Sequence, residues 1–310
     1  MIKKTLYFGH PVYLSLKDKQ LVIQLPEVEN NDTLPEVFKE HAKVTRPIED
    51  IGLIVLDHKR ITLSSGVLEA LLANNSAVVT CDSKSMPQGL LLPLSGNTIQ
   101  NERFRDQLAA SLPLRKQLWQ QTMRSKITNQ ASVLEKCKGE SYNCMRVWAE
   151  NVKSGDPENL EARAAAFYWK TMYDDIEGFT RDREGISPNN LLNYGYAILR
   201  AVIARALVSS GLLPTLGIHH HNRYNAYCLA DDIMEPYRPY VDKLVYGMVE
   251  KYGCTEELSK DMKAELLVIP TLEVVINHKR SPLMVAASQT TASLYRCFAG
   301  EIRHIAYPEL

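Results

Sequence analysis

The strongest constraint on the fold is a change of period near residue 95. Before it, apolar residues alternate at period two; beyond it, they recur at helical spacing. Residues 12–16 and 20–25 mix β-branched and apolar side chains with alternating polarity, and Lys17-Asp18-Lys19 between them predicts a hairpin. Residues 51–56 are an unbroken apolar run, the pattern of a buried strand. Ser64-Ser65 ahead of Val67-Leu68-Glu69-Ala70-Leu71-Leu72 predicts a short helix with a serine cap. Residues 77–80 and 89–92 read as two more strands, giving a β-rich unit that carries one helix.

Pro93-Leu94-Ser95-Gly96-Asn97-Thr98 has linker chemistry, and strand patterns nearly vanish after it. Residues 101–136 show helical periodicity with a break near Pro113. Asp156-Pro157 and Ser187-Pro188 each place a capping side chain before a proline suited to the first helical position. They predict helices running to about Tyr173 and to near Gly211. Further helices are expected over residues 231–252, 255–267 and 288–299. The expected fold class is α+β, with an N-terminal β-rich domain over residues 1–97 and a larger all-α domain over 98–310.

With 45% hydrophobic residues in 310, the chain can bury a sizeable core, which excludes wholesale disorder. The most apolar stretch, residues 194–208, is interrupted by Arg200 and Arg205, so no membrane span is expected. Lys3-Lys4 is followed by no secretory-type apolar segment, and the six cysteines are scattered without a CxxC pair. Free thiols in a reducing cytoplasm are the expectation.

Three places carry chemistry. Glu161 lies in the alanine-rich segment Asn159-Leu160-Glu161-Ala162-Arg163-Ala164-Ala165-Ala166, where close backbone approach can hold a carboxylate near another element. It also reads as an ordinary first-turn acid favoured by the helix dipole. His219-His220-His221 follows Gly217-Ile218; on an extended segment neighbouring side chains point in alternating directions, so one or two of them can face a site. The same run reads equally as a structural loop cluster. Asp232 and Glu235, three apart, can share one helical face and grip a hard cation, or simply start an acidic helix. Pro236 and Pro239 leave the local geometry open. Together, Glu161, one histidine and Glu235 make the carboxylate–imidazole–carboxylate set suited to metal-assisted phosphodiester chemistry.

The stretch from Leu216 to Pro239, with Gly217-Ile218-His219-His220 and Asp232-Ile233-Met234-Glu235-Pro236-Tyr237-Arg238-Pro239, closely resembles the CRISPR-associated integrase family, above all its type II members. Asn159-Leu160-Glu161-Ala162 and Asn190-Leu191-Leu192-Asn193-Tyr194-Gly195-Tyr196 resemble it too, and the likeness covers essentially the whole chain. It implies a divalent metal, Mg²⁺ or Mn²⁺, held by Glu161, His220 and Glu235. Much of the family has Asp at the last of these places. Asp232 falls on a further family acid that supports the ligands. His219 and His221 flank the ligand and contact DNA or orient His220.

The implied activity is insertion of new spacers into a CRISPR array. A DNA 3′-hydroxyl attacks a phosphodiester at the repeat edge, and water attacking instead makes the enzyme an endonuclease. The implied partners are double-stranded DNA, a second copy of the chain, and a small ferredoxin-like subunit in a 4:2 complex. Other type II CRISPR proteins join that list, and the N-terminal domain carries the dimer and partner contacts. A metal-dependent repair nuclease and a catalytically silent DNA-binding scaffold are the rival readings.

Lys plus Arg equals Asp plus Glu at 36 each, a balance that alone speaks against nucleic acid. The charge is unevenly spread, however: residues 101–150 hold 9 basic and 5 acidic residues. Arg115, Lys116 and Arg124 are therefore expected to track a DNA backbone with salt-sensitive affinity. Lys279 and Arg280, after Asn277-His278, read either as a DNA-contacting basic loop or as solvated surface.

Overall fold

The computed structural model of the protein describes residues 3–33 and 35–310. The chain divides into two compact units, Met1–Gly96 and Asn97–Leu310.

The first unit runs β1 (Lys4–Phe8), β2 (Val12–Lys17), β3 (Gln20–Gln24), α1 (Pro26–Glu29), α2 (Glu36–His41), β4 (Val44–Pro47), β5 (Ile51–Leu56), β6 (Ile61–Leu63), α3 (Ser65–Ala73), β7 (Ala77–Cys81) and β8 (Pro87–Leu91). It holds two four-stranded sheets, ordered β1-β5-β7-β8 and β4-β3-β2-β6. The β2–β3 hairpin turns on Asp18 and Lys19, both left-handed at φ 49° and 60°, which matches the strands' right-handed twist. β5, buried from Ile51 to Val55, is flanked by β1 and β7 in parallel register, as an unbroken apolar run requires. Val12, Leu14 and Leu21 from one sheet meet Ile54 and Val78 from the other, with Val67 and Leu71 of α3, in a single core. Among the described residues the unit carries three α-helices rather than one. The two extra are short, too brief for a periodicity signal. Ser64 stands at the start of α3, but its side chain makes no capping bond.

The second unit comprises α4 (Gln100–Ala109), α5 (Leu112–Lys138), α6 (Asn143–Asn151), α7 (Leu160–Met172), α8 (Asn189–Ser209), α9 (Cys228–Met234), α10 (Arg238–Tyr252), α11 (Lys260–Leu266), β9 (Glu273–Ile276), β10 (Lys279–Pro282) and α12 (Leu283–Phe298). α4 and α5 part at Ala110 and Ser111; the Ser111 hydroxyl caps α5 by accepting from the Leu114 N–H, and Pro113 lies in the first turn. Leu118, Met123, Ile127 and Leu134 of α5 are fully buried, each worth about 1.5–3 kcal/mol of apolar transfer. α5 packs against α6, α7 and α10. α8 is long and apolar enough to cross a membrane, yet 83% of its apolar window is buried inside the fold, as a core helix would be.

Four expectations are corrected here. α7 begins at Leu160, because Asp156 and Asn159 have φ of 49° and 52°, outside the helical region. Asp156 still caps it, accepting from the Leu160 and Glu161 N–H groups at 3.0 and 2.9 Å. Ser187 does not cap α8; its hydroxyl accepts from the Thr255 N–H at 3.1 Å. The helix expected over residues 231–252 is split by a 3-10 turn at Glu235–Tyr237, where Pro236 and Pro239 remove two donors. Finally, the β9–β10 hairpin interrupts the otherwise helical unit, turning on Asn277 and His278 with φ of 50° and 60°.

Candidate functional site

The centre of the site is a buried cation between two carboxylates. Lys126 sits on the apolar stripe of α5, at helical spacing from Trp119, Met123 and Gln130, and is 8% exposed. Its ammonium lies 2.5 Å from Glu161 Oε1 and 2.6 Å from Glu235 Oε2. Glu161 occupies the first turn of α7, fixed by the Asp156 cap. Glu235 occupies the proline-bounded 3-10 turn. Arg238 reaches back to Glu235, with Nε 2.8 Å from Oε1. Burial alone would raise the Glu235 pKa, but the Arg238 and Lys126 charges outweigh it and hold the carboxyl at about 2. Burial likewise disfavours the Lys126 ammonium; the two glutamates reverse that and raise its pKa.

Asp232 organises the histidine loop. It is fully buried and accepts from the His219 N–H at 2.9 Å and the His220 N–H at 3.3 Å. His220 Nδ1 lies 2.5 Å from Asp232 Oδ1, which fixes the ring and leaves Nε2 as its other ligating atom. That hydrogen bond favours the protonated ring and raises the His220 pKa. Burial lowers that of His219. His219 stacks on Trp119 at 4.0 Å between centroids, and His220 stands edge-on to the same indole at 5.6 Å. Neighbouring histidines thus share one wall instead of alternating, because Gly217 to His221 is a folded turn rather than a strand. Gln107 pins the approach to that turn, donating to the Leu213 and Leu216 carbonyls and accepting from the Leu213 N–H. His221 is exposed. Beside the turn lies a cleft of about 350 Å³ lined by Arg115, His220, His221, Asn222 and Arg223 among others.

Behind the carboxylates, Asp242 of α10 is buried and accepts from Tyr168 Oη at 3.0 Å and Tyr196 Oη at 2.5 Å. Burial pushes its pKa to about 7, against the opposing effect of both tyrosine hydrogen bonds. The Arg238 guanidinium covers the Tyr196 ring at 4.5 Å, linking this pair to Glu235.

Among the described residues, no three His, Cys, Asp or Glu side chains stand close enough together to grip an ion as they are. The donor chemistry nonetheless fits one. Two hard carboxylates converge on a single cation position, and Glu235 Oε2 is buried with no aligned hydrogen bond. The His220 imidazole, oriented by Asp232, supplies a nitrogen donor in the same unit.

Of the basic residues singled out, Lys116 is exposed, and Arg115 borders the cleft while donating to the Leu108 carbonyl. Arg124 instead donates to the Glu150 and Val152 carbonyls, tying α5 to the end of α6. Lys279 and Arg280 are strand residues of β10, and Arg280 pairs with Glu273 at 3.3 Å on the surface. Sequence reasoning missed Lys126, Trp119 and Arg238. The available signal was a lysine on the apolar stripe of a long helix.

Comparison with known proteins places the chain among CRISPR-associated proteins. The model of the family described as "CRISPR associated protein Cas1" matches residues 7–277. The CRISPR-associated endonuclease Cas1 of Neisseria meningitidis serogroup C (strain 8013) is 34% identical over 281 residues, covering 90% of this chain and 87% of its own. A Pyrobaculum aerophilum Cas1 endonuclease is 30% identical over 217 residues, covering 66% and 73%. Among solved structures, a casposase bound to integration product superposes with a TM-score of 0.76 at 18% identity, covering 98% of this chain and 92% of that one. A Cas1 protein from Thermotoga maritima gives 0.71 at 15% identity, covering 96% and 98%. The chain belongs to the Cas1 family of CRISPR-associated endonucleases.

Proposed function

We propose that this protein is a metal-dependent integrase and endonuclease that joins DNA 3′-hydroxyls to repeat-edge phosphodiesters during CRISPR spacer acquisition. The observation that carries the reading is the convergence of Glu161 and Glu235 on one cation position, with His220 held by Asp232 in the same unit. Glu161, His220 and Glu235 are the residues that would hold Mg²⁺ or Mn²⁺. A bound ion supplies Lewis-acid neutralisation of the phosphate and favours deprotonation of the attacking hydroxyl.

The chain's own residues do the rest. Asp232 fixes the ring orientation of His220 and, through two backbone N–H groups, the path of its loop. Trp119 walls off one side of the histidine pair from water. Arg238 keeps Glu235 ionised and in place. No covalent enzyme intermediate is required, because positioning and electrostatic stabilisation suffice for an in-line displacement.

Double-stranded DNA, a second copy of the chain and a small adaptation subunit are the proposed partners, in a prokaryotic cytoplasm. A solved structure that resembles this fold is described as a Cas6-RT-Cas1–Cas2 complex, which supports a small-subunit partner here. The test is joining of a labelled duplex with 3′ ends into a supercoiled repeat plasmid, with the adaptation subunit and Mg²⁺ or Mn²⁺ present. Half-site product that is lost in E161Q, H220A and E235Q is expected. Plasmid nicking without joining would favour the repair-nuclease reading. Activity untouched by all three substitutions would leave only a scaffold.

A further inference from the structure

Lys126 puts a charge where an ion would go. Its ammonium is within 2.6 Å of one oxygen from each of Glu161 and Glu235, and it is 8% exposed. A magnesium ion bonds carboxylate oxygens at about 2.0–2.1 Å. An ion on the same two oxygens would therefore stand against the ammonium, with little water to screen two cations. The lysine stem is flexible and carries four methylene groups, so the head can swing away while the α5 backbone stays fixed.

Resting on the reading that Glu161 and Glu235 bind a divalent ion, we propose that Lys126 is a resident counter-cation. It holds the two carboxylates together before loading, competes with the ion for them, and so sets the metal affinity of the site. Arg238 does not take this part: it sits on the far oxygen of Glu235, Oε1, and holds that glutamate rather than bridging the pair. A purely structural lysine gives the opposite expectation, since its removal would let the carboxylates repel and weaken the site.

The test is Mn²⁺ binding to the DNA-free protein, read by the electron paramagnetic resonance signal of unbound Mn²⁺ and by calorimetry. K126M is expected to bind Mn²⁺ at least about tenfold more tightly than the wild type, or about 1.4 kcal/mol. Unchanged or weaker binding in folded K126M overturns the proposal. Should K126M fail to fold, the wild type answers by itself in crystals soaked with Mn²⁺. An ion on both carboxylates with the Lys126 head withdrawn supports competition; an ion bound there with the ammonium still touching both carboxylates refutes it. Mn²⁺ binding that E161Q and E235Q leave unchanged would instead sink the metal reading, and this proposal with it.

Discussion

Gly217 offers the sharpest test of how the histidine turn is built. A Cβ placed there would stand 2.4 Å from the His220 carbonyl oxygen, 2.7 Å from Asp232 Oδ2 and 3.1 Å from the Cys228 Cβ. The first is backbone, and the second belongs to a carboxylate held by two N–H groups and an imidazole. Neither is the free end of a flexible side chain, so the turn itself must move. Restoring ordinary contact at 3.4 Å requires the His220 carbonyl to retreat by roughly 1 Å. If the turn positions the reaction as proposed, a displacement of that size lowers rate by about a hundredfold. Overpacking of this kind destabilises by about 1–3 kcal/mol, or roughly 3–10 °C in melting midpoint for a unit of this size. G217A is therefore expected to lose about two orders of magnitude in strand joining and nicking at saturating DNA, while melting earlier but cooperatively. Rates would be taken from single-turnover gels with 5′-labelled DNA, and melting from circular dichroism. Wild-type rate together with a wild-type melting midpoint would refute the packing argument.

Three further outcomes follow from the same structure. Gly247 on α10 has nothing within 4 Å of the position an added methyl group would take, so G247A is expected to stabilise the protein by up to about 1 kcal/mol; a destabilised G247A in urea titration would contradict this. Asp242 titrates near 7 when folded and near 3.9 when unfolded, so between about pH 4 and 7 the folded state holds a proton the unfolded state has lost. Stability should fall through that window by on the order of 4 kcal/mol, and D242N should flatten the decline and be the more stable form at pH 8; an unchanged slope in D242N counts against it. R115E/K116E is expected to weaken DNA binding and reduce the salt slope by roughly two. R124A should instead lower stability by about 1–2 kcal/mol through its lost carbonyl contacts, and equal DNA loss in both variants would contradict this division.

Several of the sequence's local readings match the structure. The hairpin at Asp18-Lys19, the buried strand β5 and the parting of α4 and α5 near Pro113 each depend on a few neighbouring residues. Helix starts were less legible. Asp156-Pro157 has the composition of a cap and first turn, yet left-handed backbone at Asp156 and Asn159 delays the helix to Leu160. The β9–β10 hairpin was invisible because four residues per strand are too few to establish a period.

By itself, the sequence determined that a strand-rich unit precedes a helical one; it nominated Glu161, Asp232 and Glu235, and left the choice among His219, His220 and His221 to family resemblance. Their spacing along the chain could not say which groups touch. Only the tertiary structure put Lys126 between Glu161 and Glu235, 35 residues away from the first of them, and set both His219 and His220 against Trp119. The reason is physical: a buried charge survives only where distant elements deliver its counter-charges, and that convergence is a property of packing rather than of period.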